Sequence, residues 1–308
     1  MYRPLQRFGA FISSKNLLNN NQRYRFVHEQ ALKGFTDGNY YDKSRPTYPR
    51  AIFDLIHTSV LGSVRNPSKT NQSLKVLEIA AGTGKFTEKL IKSIKNMESF
   101  IALEPSVGFR EKLQEKLPNI KTINGSANNT GLDDHSQDII FVAQAFHWFA
   151  TTSALEEMHR ILKPGGFLVL VWNGYDRSVD WIKRIEDEVI LPRYPSDTPR
   201  YQSGEWKKCF DHCVGTASSA SNSSNILFEP LKFAHVANDG KAVVTDSEHP
   251  VRDRVLSTSV ILNLPDQEQE KVRKQLDQLL DHHPDTRNRE KRDIFITYRT
   301  EMVWTRAV

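Results

Sequence analysis

Glu78, Ala80, Gly82 and Gly84 alternate through the run VLEIAAGTGKFT between Val76 and Thr87, and a second acid, Glu104, stands twenty positions beyond the last glycine. Glycine takes up positive φ without steric penalty and lets a ligand approach the main chain closely. A carboxylate at Glu104 can accept hydrogen bonds from both hydroxyls of a ribose. A carboxylate at Glu78, two residues before the turn, suits a ligand with an ammonium group and repels a pyrophosphate. The chemistry on offer is the binding of an adenosine-containing ligand.

Three glycine loops compete for these residues. A dinucleotide fingerprint needs a third glycine where this chain has Thr87. A phosphate-binding P-loop needs glycine where Ile79 stands, and a hydroxyl where Phe86 follows Lys85. What remains is E-x-A-x-G-x-G with a downstream acid, which suits S-adenosylmethionine, whose methionine end carries an ammonium. A strand–helix–strand unit with an ordinary tight turn has the same glycine pair, so the rest of the chain must decide.

The elements that position these residues follow from periodicity. Leu74–Ile79 is short, apolar and β-branched, as a buried parallel strand requires. Phe86, Leu90, Ile91 and Ile94 give a helix over Lys85–Lys95, and Phe100–Leu103 is the next strand. Further helices are expected at Arg50–Leu61, Val107–Leu117, Ala154–Leu162, Trp181–Ile190, Pro250–Leu262 and Asp266–His282. Further strands are expected at Ile120–Ile123, Asp138–Ala143, Phe167–Trp172, Ile226–Val236 and Ile294–Val303, with Lys163-Pro-Gly-Gly166 as a turn. Strands alternating with helices predict an α/β fold: a Rossmann-like, doubly wound, mostly parallel seven-stranded sheet, helices on both faces, and a C-terminal antiparallel pair.

Composition narrows the class. The 308 residues allow a full core, and the net charge of +5 is mild and concentrated near the N-terminus, so no nucleic-acid surface is expected. No apolar run is long enough to span a membrane. Residues 1–28 carry Arg3, Arg7, Lys15, Arg23 and Arg25 and no acid. Two readings stand: a presequence for the mitochondrial matrix, or a basic tail on a cytoplasmic protein. Cys209, His212 and Cys213 form a C-x-x-H-C cluster, but a structural zinc needs four ligands, so reduced thiols and no metal site are expected.

Six motifs in order then carry a family resemblance: Tyr41-x3-Arg45-Pro46-x-Tyr48-Pro49, Glu78-x-Ala80-x-Gly82-x-Gly84, Glu104-Pro105-Ser106, Gly125-Ser126-Ala127, Gln144-Ala145-Phe146-His147-Trp148-Phe149, and Arg160 through Gly166. Across about Tyr40 to Asn173 the chain resembles the class I S-adenosylmethionine-dependent methyltransferases of the type 11 kind. Within them it is similar to the small-molecule group that includes the yeast trans-aconitate and cantharidin-detoxifying enzymes. The resemblance implies S-adenosylmethionine as cofactor, with Glu78 near its methionine moiety and Ala80, Gly82 and Gly84 as a backbone wall. Glu104 would take the ribose, Pro105 and Ser106 the adenine face, Ser126 and Ala127 the adenine edge. Gln144 and Ala145 would pass beneath the sulfonium, and Tyr41 and Arg45 would cover the cofactor.

His147, Trp148 and Tyr48 are the expected acceptor contacts. His147 and Tyr41 are the candidate catalytic groups, His147 as a base for a hydroxyl or amine nucleophile. Packing roles stand beside these: Tyr41, Arg45 and Tyr48 as a strap on the sheet, Trp148 and Phe149 as core. Residues 35–308 are expected to form one methyltransferase domain after a tail at 1–34. Its core is 40–173, covering additions run over 176–290 and a last strand over 294–303, with 254–259 among the lid segments. Gln144-Ala145-Phe146-His147 stands where base-methylating enzymes carry Asp/Asn-Pro-Pro-Tyr. A small organic acceptor is therefore expected, a carboxylate if Arg45 faces it, in a monomer. Protein or tRNA methylation, and a catalytically silent cofactor-binding protein, are the alternatives.

Overall fold

The structure, a computed structural model, describes residues 45–64, 73–211, 213–215, 226–239 and 247–308. Seven strands form one sheet: β1 (Leu74–Ile79), β2 (Met97–Leu103), β3 (Lys121–Ile123), β4 (Gln137–Ala143), β5 (Leu162–Tyr175), β6 (Lys232–Asn238) and β7 (Tyr298–Arg306). Their order is β3-β2-β1-β4-β5-β7-β6. Strands β1 to β5 pair in parallel, and β7 runs antiparallel to both β5 and β6. The expected fold class is therefore the observed one. The order reverses between β1 and β4, which opens a crevice at their carboxyl ends.

Side chains alternate across the sheet and are covered on both faces, so the central strands read as continuous apolar runs. One core takes Val76, Ile139, Phe141, Val169 and Val171 against α1 (Arg50–Ile56) and α2 (Lys85–Ser93). The other takes Leu77, Ile140, Val142, Leu168 and Leu170 against Leu155, Met158 and Ile161 of α4 (Thr152–Ile161). Between them in sequence lies α3 (Val107–Lys116), capped by the Ser106 hydroxyl on the Phe109 N–H. A third core joins α5 (Asp180–Arg184), α6 (Pro250–Leu256), α7 (Ser259–Leu262) and α8 (Asp266–His282) through Trp181, Ile185, Val255, Ile261 and Leu276.

Element boundaries depart from expectation where the chain leaves the sheet. Lys163-Pro-Gly-Gly166 does not separate helix from strand. It loops out within β5, where Gln137 faces Leu162 but Ile139 faces Phe167. Gly165 at φ +78° lets the loop return, and its N–H and C=O bond Ala307 and Arg306. Strand β6 begins at Lys232 rather than Ile226, because Pro230 has no N–H for a ladder. Strand β7 begins at Tyr298 rather than Ile294. Ile294 and Ile296 keep the alternation but are buried in the third core. The helix expected over 250–262 breaks at Thr258, whose ψ of 129° is extended. The helix expected over 181–190 continues from α5 as a wider π turn, Ile185–Ile190.

Candidate active site

The carboxyl ends of β1, β2 and β4 open into a cavity of about 320 Å3, closed on the far side by the chain around 186–202 and by residues of α6 and α7. At the end of β1 the main chain turns through Ala80 (φ +56°), Gly82 (φ +59°) and Gly84 (φ +79°). At the end of β4, Gln144 is also left-handed (φ +59°). For a residue with a Cβ this conformation costs about 1–2 kcal/mol. Both Ala80 and Gln144 sit at the crevice where strand order reverses, as expected of strain held at a functional site. Gln144 is fixed there by its N–H to the Val171 carbonyl (2.8 Å) and its amide to that of Asn173 (3.2 Å).

Two acids face the cavity from adjacent strands. Glu104 is 5% exposed. Its two oxygens accept the N–H groups of Gly82 (2.9 Å) and Ser106 (2.8 Å), which fixes the carboxylate plane. Burial raises its pKa above the usual carboxylate value, against the lowering effect of those two donors and of Arg110. Glu78 is 1% exposed and accepts the Thr87 hydroxyl at 2.6 Å. Burial pushes its carboxyl up to about 8, with Thr87 opposing and nearby Glu104 adding to the rise. Glu78 is therefore mostly protonated at neutral pH until a cation faces it.

The segment 45–49 lies against this end of the sheet. Lys85 Nζ donates to the Arg45 carbonyl (2.8 Å), Arg45 Nη2 donates to the Ser257 carbonyl (2.9 Å), and the amides of Asn173 and Asn238 both donate to the Thr47 carbonyl. Tyr48 is buried edge-on to Phe86, 4.8 Å between ring centres. Arg45 thus ties the segment to the end of α6 as well as lining the cavity.

His147 lies on the short 3-10 turn Phe146–Trp148. The Trp172 indole N–H donates to its Nδ1 at 3.3 Å. Indole can only donate, so Nδ1 carries the lone pair and Nε2 the proton. Burial pushes the imidazole down to about 3. A ring with that acidity and its free lone pair already engaged is a neutral N–H donor, which runs against the base role considered for His147.

Of the residues singled out from sequence, Arg45, Tyr48, Glu78, Ala80, Gly82, Glu104, Pro105, Ser126, Ala127, Gln144, Ala145, His147 and Trp148 all line the one cavity. Gly84 does not. A Cβ there would meet Leu113 Cγ at 3.0 Å, so this glycine serves the packing of α3 against the turn. Tyr41 and His212 lie outside the described residues. Cys209 and Cys213 are buried free thiols, and burial raises both, Cys209 to about 12. Among the described residues no group of side chains could hold a metal, and no helix is long and apolar enough to cross a membrane.

The sequence analysis named covering segments, 254–259 with Arg254 among them, but not the further lining side chains Phe109, Asn128, Asn173, Tyr175, Tyr194, Arg200, Tyr201 and Gln202. The Trp172 ring, stacked on Tyr201 at 4.6 Å and 4.9 Å from Trp206, supports this side from behind. Asn173 lies just beyond the part of β5 paired with β4, as Gln144 follows β4, so strand ends were the one available signal for it. Tyr175 is the last residue of β5, Phe109 and Arg254 lie in α3 and α6, and the others sit in irregular chain or a short 3-10 turn.

A reversed-order parallel sheet with a glycine turn after β1 and an acid after β2 defines a nucleoside-cofactor enzyme of the Rossmann-like class. Comparison with known proteins specifies it. Residues 77–170 match the Methyltransf_11 family, described as a methyltransferase domain. An uncharacterized methyltransferase-like protein of Schizosaccharomyces pombe is 34% identical over 271 residues, covering 87% of this chain and 93% of its own length. An uncharacterized methyltransferase of Mycobacterium bovis is 31% identical over 177 residues, covering 54% and 66%. In fold, a candidate methyltransferase from an antibiotic biosynthesis pathway of Anabaena variabilis aligns over 86% of this chain and 98% of its own, with TM-score 0.52 and 17% identity. A candidate type II methyltransferase of Anaeromyxobacter dehalogenans aligns over 85% and 97%, with TM-score 0.51 and 20% identity. The chain belongs to the class I S-adenosylmethionine-dependent methyltransferases.

The residues present fit that cofactor. An anchored carboxylate at Glu104 suits a diol, a buried acid at Glu78 suits an ammonium, and at Gly82 a Cβ would point into open space beside the cavity.

Proposed function

We propose that this enzyme methylates a small organic acceptor, a carboxylate being the chemistry Arg45 favours, inside the cavity between the strand ends and the covering chain. The carrying observation is that one cavity joins the acids Glu78 and Glu104 to a wall rich in arginine and tyrosine. When bound, S-adenosylmethionine supplies a methyl group already activated by its sulfonium, so the chain's task is alignment and exclusion of water.

In this reading Glu104 accepts the ribose hydroxyls, with Pro105, Ser106, Ser126 and Ala127 bounding the adenine. Glu78 ionises against the ammonium, and Ala80 and Gly82 form the wall beside it. Gln144 and Ala145 lie beneath the reacting centre. His147 offers its Nε2–H to the acceptor, and Trp148 and Tyr48 bound the acceptor's path. A carboxylate or another nucleophile ionised before it binds needs no base, which agrees with a neutral His147. The covering chain at 176–211 and 250–259 excludes water, and together with the sheet it makes one working unit.

The test supplies methyl-labelled S-adenosylmethionine with a fractionated cell extract. Label is expected in the small-molecule filtrate. Label confined to protein or RNA would overturn the small-acceptor reading.

A further inference from the structure

The covering wall holds polar groups that the protein leaves unserved. Arg200 lines the cavity, and among the described residues its guanidinium makes no hydrogen bond and no ion pair. Its contact is with a ring: the guanidinium carbon lies 5.6 Å from the centre of Tyr194. Its Nε is shielded from solvent. Tyr175 lines the same wall, and its hydroxyl is also shielded and without a hydrogen bond. The Tyr175 ring is held by stacking on Tyr298 at 5.6 Å and by the Arg254 guanidinium at 5.2 Å. Buried polar groups left unpaired cost about 1–3 kcal/mol each, more when charged.

Among the described residues, arginines and one acid line this side of the cavity. Arg254, 8% exposed, lines the wall and donates to the neutral hydroxyls of Tyr298 (3.1 Å) and Thr258 (3.2 Å). The acid of this wall, Glu186, is already engaged by Arg177 at 2.5 Å and by the Gln202 amide at 3.0 Å. Glu78 and Glu104 belong to the strand ends. A planar guanidinium fork and an unpaired phenol lining one cavity match a carboxylate or another oxyanion better than any neutral group.

Building on the methyltransferase reading of this site, we propose that the acceptor is an organic oxyanion whose negative group is bound by Arg200 and the Tyr175 hydroxyl. Arg200 is then a specificity-determining residue supplied by the covering chain, and Tyr194 orients it by lying under its guanidinium. An acceptor lacking the charge leaves the partly buried Arg200 guanidinium unpaired and is disfavoured for that reason.

The experiment measures thermal stabilisation of the full chain saturated with S-adenosylhomocysteine, as benzoate, phenyl phosphate or neutral benzamide is titrated in. Benzoate is expected to raise the melting temperature saturably and benzamide to leave it unchanged. Arg200→Met should weaken the benzoate response at least tenfold and Tyr175→Phe several-fold, with the stabilisation by S-adenosylhomocysteine kept in both. A response to phenyl phosphate alone, lost in Arg200→Met, supports the oxyanion site and assigns it to phosphate esters. Equal responses to benzoate and benzamide overturn the proposal, as does no response to either anion, or an anion response unchanged in Arg200→Met. If Arg200→Met does not fold, an unchanged anion response in Tyr175→Phe overturns it equally. Failure of S-adenosylhomocysteine to stabilise the wild type is a different outcome: it removes the methyltransferase reading on which the proposal stands.

Discussion

Raising the pH from 6 to about 7.5 should strengthen binding of S-adenosylhomocysteine, because Glu78 must lose a proton to face the ligand's ammonium. Its carboxyl sits at about 8 in the free protein, held there chiefly by burial. Ionising it costs about 1.4 kcal/mol at pH 7 and about 2.7 kcal/mol at pH 6, a factor of ten for each pH unit. Affinity should therefore climb about tenfold per unit and level off near pH 8. An amine such as the ligand's own loses its proton at about 8, so the curve should then turn down. Calorimetry at pH 7 in two buffers of different ionisation enthalpy should register release of about one proton per ligand. Glu78→Gln keeps the shape and removes the titration: binding should be weaker and nearly flat over the rising limb. A pH-independent affinity in the wild type, or the same slope in Glu78→Gln, would refute the reasoning.

His147→Ala should lower turnover less than about tenfold, since loss of a true general base costs about 10²–10⁴. A larger fall, together with a wild-type rate profile that breaks near neutrality, would restore the base assignment. The two glycines of the turn should separate by readout. Gly84→Ala forces a side chain onto φ +79° and against Leu113, so it should cost about 1–2 kcal/mol in denaturant unfolding and leave ligand affinity nearly intact. Gly82→Ala, at φ +59° beside the cavity, should cost similar stability and also weaken S-adenosylhomocysteine binding; equal effects of the two on affinity would contradict the assignment.

The strand-end half of the cavity, proposed to hold the cofactor, was legible because its determinants are local. Glu78, Gly82 and Glu104 follow directly from strands with unmistakable apolar runs, and the ends of parallel strands converge on one crevice. Even there the spacing could not tell Gly82, which faces the cavity, from Gly84, which faces Leu113, since a turn glycine and a packing glycine look the same in one chain. The tautomer of His147 was not legible for a related reason: its partner Trp172 is 25 residues away in sequence, and only the fold supplies the indole proton. The covering wall was legible only as segments, 176–290 with 254–259, and not as the side chains they present. Tyr175, Arg200 and Arg254 come from a strand end, an irregular stretch and a helix, and the third hydrophobic core brings that covering chain together. Ile294 and Ile296 show the same limit at the sheet edge. Their alternation fits a strand, but the core they enter belongs to the covering helices.

The most direct test of the account is equilibrium binding of S-adenosylhomocysteine to the wild type, Glu104→Gln and Glu104→Ala, with folding checked by circular dichroism. Hydrogen bonds to a charged partner contribute about 1.5–3 kcal/mol each, so the account predicts clear wild-type binding and a loss of at least about tenfold in Glu104→Ala, with Glu104→Gln between. No binding to the wild type, or an unchanged dissociation constant in a folded Glu104→Ala, would contradict it.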